Sequence, residues 1–174
     1  TVNICLMYRK RNDNGLLGYS DADWAGDLDG RKSTSGYVIL MGNAAVSGRS
    51  KKQSCVTLST AESEYIALAS AFQEAVWLKQ LLLDFGIDKM LKEPTVVFED
   101  NKSAIFMSKN HQYHGRTKHV DIKYHYVRDQ VTNKEIVLKY CKSEDMLADM
   151  FTKGLCGPQF KRLRSMIGLS IKEE

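Results

Sequence analysis

Four acidic residues, Asp21, Asp23, Asp27 and Asp29, fall within nine positions of a chain that is otherwise basic. Leu16, Leu17 and Tyr19 lead into them, so the approach reads as a buried strand that ends in carboxylates. Clustered carboxylates repel one another, and a fold keeps them at a strand end chiefly when a cation sits among them. Asp and Gly are also ordinary turn formers, so residues 18–27 alone admit either a hard-metal site or a polar turn. Further acids stand as close neighbours, Glu62 with Glu64, Glu99 with Asp100, and Asp145 with Asp149. Which member of each could serve a metal depends on the elements that carry it.

The chain reads as a strand fragment near its start, then strands over 15–23 and 37–41. Gly42-Asn43 is a tight hairpin turn, and a third strand starts at 44–47, breaks over 48–52 and resumes at 54–58. Tyr65, Leu68, Phe72, Ala75, Val76 and Leu82 recur at helical spacing and predict one long helix over 59–85, stopped by Gly86. A strand over 95–99, a helix over 102–109, a polar loop and a helix over 120–131 come next. A strand over 135–140, a short helix over 145–153 and a basic helix over 158–167 complete the order. An antiparallel meander followed by alternating strands and helices implies a mixed α/β sheet with helices on its faces. Ligands of such sheets bind beyond the carboxyl ends of the strands, where Asp21 and Asp100 both fall.

At 174 residues, 43 % apolar and with two prolines, the chain is expected to form a single domain over 1–174. No apolar run approaches the roughly 18 residues of a membrane span, and no signal peptide is expected ahead of the first strand. Cys5, Cys55, Cys141 and Cys156 are scattered, which argues against a disulfide framework and for a reducing, intracellular setting. The net charge is +4, with base gathered in Arg49, Lys51 and Lys52, over 102–128, and in Lys161, Arg162 and Arg164. An acidic spot on a basic surface suits a polyanion that is held and cut with metal help.

Seven blocks then occur in order: Tyr19-Ser-Asp-Ala-Asp-Trp-Ala-Gly-Asp27, Arg31-Lys-Ser-Thr-Ser-Gly-Tyr37, Ser50-Lys-Lys-Gln53, Leu58-Ser-Thr-Ala-Glu-Ser-Glu-Tyr-Ile-Ala-Leu68, Glu99-Asp-Asn-Lys-Ser-Ala104, Arg116-Thr-Lys-His-Val-Asp-Ile-Lys-Tyr-His125 and Ala148-Asp-Met-Phe-Thr-Lys153. Together they resemble the ribonuclease H domain of Ty1/copia-type LTR retrotransposon Pol polyproteins over about residues 15–155, with 156–174 a basic helix and tail. The resemblance implies a ribonuclease H-like α/β fold: a five-stranded mixed sheet, antiparallel meander then parallel strands, flanked by helices. It also implies metal-dependent cleavage of the RNA strand of RNA/DNA hybrids during reverse transcription.

Carried over position by position, the resemblance assigns Asp21, Glu64, Asp100 and Asp149 as catalytic metal ligands. Asp21 would bridge two Mg²⁺ ions, with Mn²⁺ as the expected substitute, Glu64 and Asp100 would hold one, and Asp149 the other. Glu62 has capping-box spacing from Ser59, which gives it a structural task and leaves Glu64 free. Glu99 should point to the face opposite Asp100 by strand alternation. Asp145 is accounted for by a helix N-terminus. Expected substrate contacts are Arg31, Lys32, Ser33, Arg49, Lys51, Lys52, Asn101, Arg116 and Lys118. Expected partners are an RNA/DNA hybrid and an upstream reverse transcriptase of the same polyprotein, with no membrane and no organic cofactor, in cytoplasmic virus-like particles.

Three features depart from the family pattern. Gly48 stands where relatives carry an aromatic, which should loosen the third strand. The loop 141–144 lacks the histidine that many cellular relatives place before the last acid, leaving that role open to Glu144. His111, His114, His119 and His125 cluster instead, at spacings that fit no standard zinc finger. Two other readings compete: an inactive hybrid-binding module, against which the four acids stand, and a DNA nuclease or strand transferase of the same superfold.

Overall fold

The computed structural model describes residues 3–8, 15–87, 91, 93–110 and 118–171, with the side chains of 118–121 left out of the description. Its elements are β1 (Ile4–Leu6), β2 (Leu16–Asp23), β3 (Thr34–Met41), β4 (Ala44–Lys52), α1 (Thr60–Asp84), β5 (Thr95–Glu99), α2 (Lys102–Lys109), α3 (Lys118–Thr132), β6 (Ile136–Tyr140), α4 (Gly157–Met166) and β7 (Leu169–Ile171). Five strands form one mixed sheet in the order β4-β3-β2-β5-β6. β2, β3 and β4 pair antiparallel, while β5 pairs parallel with both β2 and β6. This is the mixed sheet that the element order predicts, with the five strands, antiparallel meander then parallel pairs, that the family resemblance implies.

The Gly42-Asn43 turn has both residues at positive φ, 60° and 63°, matching the twist of the flanking strands. Beyond it the structure differs from expectation. β4 runs unbroken to Lys52, a bulge between Ile39 and Leu40 absorbing the irregularity, and residues 54–58 are not a strand. Gly48 does not loosen the strand, because the Phe151 ring covers it: a Cβ there would meet Phe151 Cε1 at 3.0 Å. The expected helix over 145–153 is instead two 3₁₀ turns, Ser143–Asp145 and Leu147–Phe151. β1 and β7 form a separate two-stranded ribbon joining the two ends of the described chain.

One face of the sheet buries α1 through Leu16, Ile39, Tyr65, Leu68, Phe72, Val97 and Ile136. Tyr65 stacks on Tyr124 of α3 at 4.1 Å between ring centroids. The other face packs Val38 and Leu40 against Leu147, Leu163 and Ile167. By length and composition α1 could cross a membrane, contrary to the sequence-based reading, but its apolar side chains form this core. Gly86, at φ 74°, ends the helix as its position predicts.

Candidate active site

The site forms where β2, β5, α1 and the second 3₁₀ turn meet. Asp21 lies on β2 opposite Gly36 of β3. Gly36 has no room for a side chain, since a Cβ would sit 2.6 Å from Thr152 Cγ2 and 2.9 Å from Phe151 Cβ. Its bareness lets the 3₁₀ turn lie directly against the strand. Asp100 follows β5 immediately, and Asn101 then caps α2, its Oδ1 accepting from Ser103 and Ala104 N–H at 2.9 and 3.0 Å. Ser59 caps α1, accepting from Glu62 N–H at 3.2 Å. The Glu62 carboxylate reaches back to Leu58 N–H at 2.8 Å, one residue beyond the expected capping-box partner. Glu64, one turn into the helix, is left to face the sheet.

Asp21, Glu64 and Asp100 each present a carboxylate oxygen, and these oxygens lie within 4.8 Å of one another. Asp21 and Glu64 are buried, at 2 % and 6 % exposure. Burial pushes the Asp21 carboxyl above its ordinary range, and Asp100 and Asp23 add to this against the Thr152 hydroxyl and Lys153. Burial also drives Glu64 far upward, reinforced by Glu99, Asp21 and Asp100. Glu64 Oε2 is buried without a hydrogen-bond partner. Three hard-oxygen donors, two of them buried, with a buried Glu64 oxygen unsatisfied, fit a divalent cation of the Mg²⁺ type.

Asp149 comes from the second 3₁₀ turn and is 3 % exposed. Burial raises its pKa to about 6, with Asp21 and Asp100 adding and Lys153 opposing. Two residues of the same turn, missed by sequence reasoning, bind the acids. The Thr152 hydroxyl donates a short hydrogen bond to Asp21 Oδ2. Lys153 Nζ lies 2.9 Å from Asp149 Oδ1 and 3.8 Å from Asp21 Oδ2. Burial alone would lower the lysine's pKa, but the two aspartates hold it above its ordinary value. Their signal was present in the Ala148–Lys153 block, read only for its aspartate.

Glu99 was also undervalued. Alternation puts it with buried Val97 on the face that α1 covers, and its charge helps to raise the Glu64 pKa. It is fully buried, with Oε1 accepting from Asn101 N–H at 3.1 Å, and burial lifts its pKa well above the usual carboxylate range. The acids of the opening stretch divide between the two roles. Asp27 is a turn residue, accepting from Gly30 N–H and paired with Lys52 at 3.0 Å. Asp145 stands in the first turn of the 3₁₀ segment Ser143–Asp145 and pairs with Arg162, and Glu144 pairs with Lys142 at 3.6 Å.

The residues chosen for substrate contact are not all placed alike. Arg49, Lys51 and Lys52 are exposed along the end of β4, and with Lys123 they line a groove beside α1. Arg31 is exposed and Lys32 half-buried in the turn after β2. Ser33 is buried and bonded internally, accepting from Ala25 N–H and sharing a hydrogen bond with Thr57. Asn101 is committed to its cap. Arg116, His111 and His114 lie outside the described residues, as do the side chains of Lys118 and His119; His125 is exposed on α3. Among the described residues, the acidic trio is the cluster arranged to hold a metal.

No family model matches the chain. It is 40 % identical over 169 residues to the retrovirus-related Pol polyprotein from transposon TNT 1-94 of Nicotiana tabacum. It is 38 % identical over 170 residues to that from transposon RE1 of Arabidopsis thaliana. These matches take in 97 % and 98 % of the chain but 12 % of each polyprotein, so the chain spans about an eighth of their length. Among solved structures it resembles the N-terminal RNase H domain of Rv2228c from Mycobacterium tuberculosis, with a TM-score of 0.56 at 13 % identity, covering 87 % of this chain and 97 % of that one. It also resembles LC11-RNase H1 in complex with an RNA/DNA hybrid, with a TM-score of 0.51 at 17 % identity, covering 79 % and 93 %.

Proposed function

The chain belongs with the retrovirus-related Pol polyproteins of copia-type transposons and carries the ribonuclease H fold, and from that premise we propose that it hydrolyses the RNA strand of RNA/DNA hybrids with divalent metal ions. The observation that carries the proposal is the convergence of Asp21, Glu64 and Asp100 from three distant elements, with Asp149 delivered to the same place by a fourth. Asp21, Glu64 and Asp100 would hold one Mg²⁺, and Asp21 with Asp149 a second. Bound ions of this kind activate a water and stabilise the departing 3′-oxygen.

The protein's own groups position the donors. The Thr152 hydroxyl fixes the orientation of the Asp21 carboxylate. Glu99, tied to the backbone at Asn101, stiffens the turn that presents Asp100. Burial of Asp21, Glu64 and Asp149 limits competing water and strengthens every charge interaction at the site. Arg49, Lys51 and Lys52 would hold backbone phosphates, and contact with 2′-hydroxyls across the minor groove would tell RNA from DNA. In its polyprotein the domain would act with a reverse transcriptase, in cytoplasmic virus-like particles.

The test is incubation of the chain with a labelled RNA/DNA hybrid and Mg²⁺ or Mn²⁺, beside Asp100→Asn. RNA-strand cleavage lost in the variant supports the proposal. Hybrid binding without cleavage by the unsubstituted chain overturns it and points to a binding module. Cleavage of duplex DNA instead points to a different nuclease.

A further inference from the structure

Asp21, Glu64 and Asp100 point their oxygens at one another, whereas Asp149 meets Asp21 across Lys153. Lys153 follows Asp149 by four residues, and its ammonium stands between that carboxylate and Asp21. The Asp21 oxygen facing Lys153 also takes the Thr152 hydroxyl, so a single turn supplies both groups that cover this side of the site. Asp149 Oδ1 is buried and meets Nζ at 2.9 Å, so the ammonium is the cation this oxygen faces. The lysine side chain is 39 % exposed and sits on a flexible stem, so the ammonium has a way out to solvent.

We propose that Lys153 is a built-in counter-ion that occupies, in the metal-free protein, the place between Asp21 and Asp149 that a second divalent ion would take. This rests on the metal reading above. An ammonium and a divalent ion a few ångströms apart repel strongly, so the lysine must swing out before that place fills. Loading is therefore ordered. The Asp21–Glu64–Asp100 group binds first, and the Asp21–Asp149 pair binds second and more weakly.

The test is calorimetric titration of the 174-residue chain with Mg²⁺ beside Lys153→Met, which keeps the stem and removes the charge. The expected result is a first binding step nearly unchanged and a second step tightened by about tenfold or more. A second step unchanged or weakened by the substitution overturns the inference while leaving the metal reading intact. No Mg²⁺ binding to either protein overturns both. Acetylation of Lys153 in the unsubstituted chain, followed by mass spectrometry, gives a readout that does not depend on the variant folding. Mg²⁺ should speed it several-fold as the ammonium is released, and slowing or no change overturns the proposal.

Discussion

Replacing Glu64 with glutamine should stabilise the metal-free protein at neutral pH, although the substitution removes a proposed metal ligand. Glu64 is 6 % exposed and surrounded by Glu99, Asp21 and Asp100, so the fold keeps its proton to a pH far above the ordinary 4.5. The unfolded chain releases that proton near 4.5, so at pH 7 folding has to take it back. At 1.36 kcal/mol per pH unit over about 2.5 units, this costs about 3 kcal/mol. Glutamine keeps the shape and an acceptor for the Ala22 N–H without that cost. The sign follows from proton counts: the native state binds more protons than the unfolded state. Its stability therefore falls as pH rises above 4.5, and the penalty is absent below it. In EDTA, calorimetry should show Glu64→Gln melting roughly 6–12 °C above the parent at pH 7. At pH 5 the gain should shrink to under about 1 kcal/mol. In Mg²⁺ the parent should recover more stability than the variant. A variant less stable than the parent in EDTA at pH 7, or a gain independent of pH, would refute the reasoning.

Gly36→Ala should displace the turn that carries Asp149, Thr152 and Lys153, because the new Cβ would fall 2.6 Å from Thr152 Cγ2. Hybrid cleavage should drop about 100-fold, with a stability loss of about 1–3 kcal/mol, and undiminished cleavage would show that the turn does not need this seat. Arg49→Gln and Lys51→Gln should each lower the slope of log binding constant against log salt by about one. Cleavage at saturating hybrid should be unchanged, so a loss of turnover with the salt slope intact would remove these residues from the phosphate track.

The resemblance named the acids, and for two of those that converge, Glu64 and Asp100, a local rule separates the residue from a neighbour. Ser59 claims Glu62 and frees Glu64, and strand alternation separates Asp100 from Glu99. The mixed character of the sheet followed from the meander and the alternating elements, and its five strands from the family resemblance. Lys153 and Thr152 escaped notice because their roles depend on a 3₁₀ turn lying against Gly36, a tertiary contact that no period in the sequence encodes. Gly48 was misjudged for the same reason, since the ring that covers it lies about a hundred positions away in the chain. Glu99 was assigned the right face, but what lies on that face is decided by how α1 crosses the sheet. The β1–β7 ribbon pairs Cys5 with Ser170, 165 positions away, beyond the reach of local patterning.

That ribbon has a mechanical consequence. Ile4 faces Ile171, Cys5 faces Ser170 and Leu6 faces Leu169, in antiparallel register. Tension applied at residues 4 and 171 therefore pulls the two strands apart at their open end, breaking hydrogen bonds in succession rather than all together. A strand pair loaded in this direction unzips at low force, whereas strands dragged lengthwise past one another share the load and resist. Where tension reaches the domain through these two strands, the ribbon is the fuse: it opens first and lengthens the tether, and the five-stranded sheet keeps its carboxylates in place.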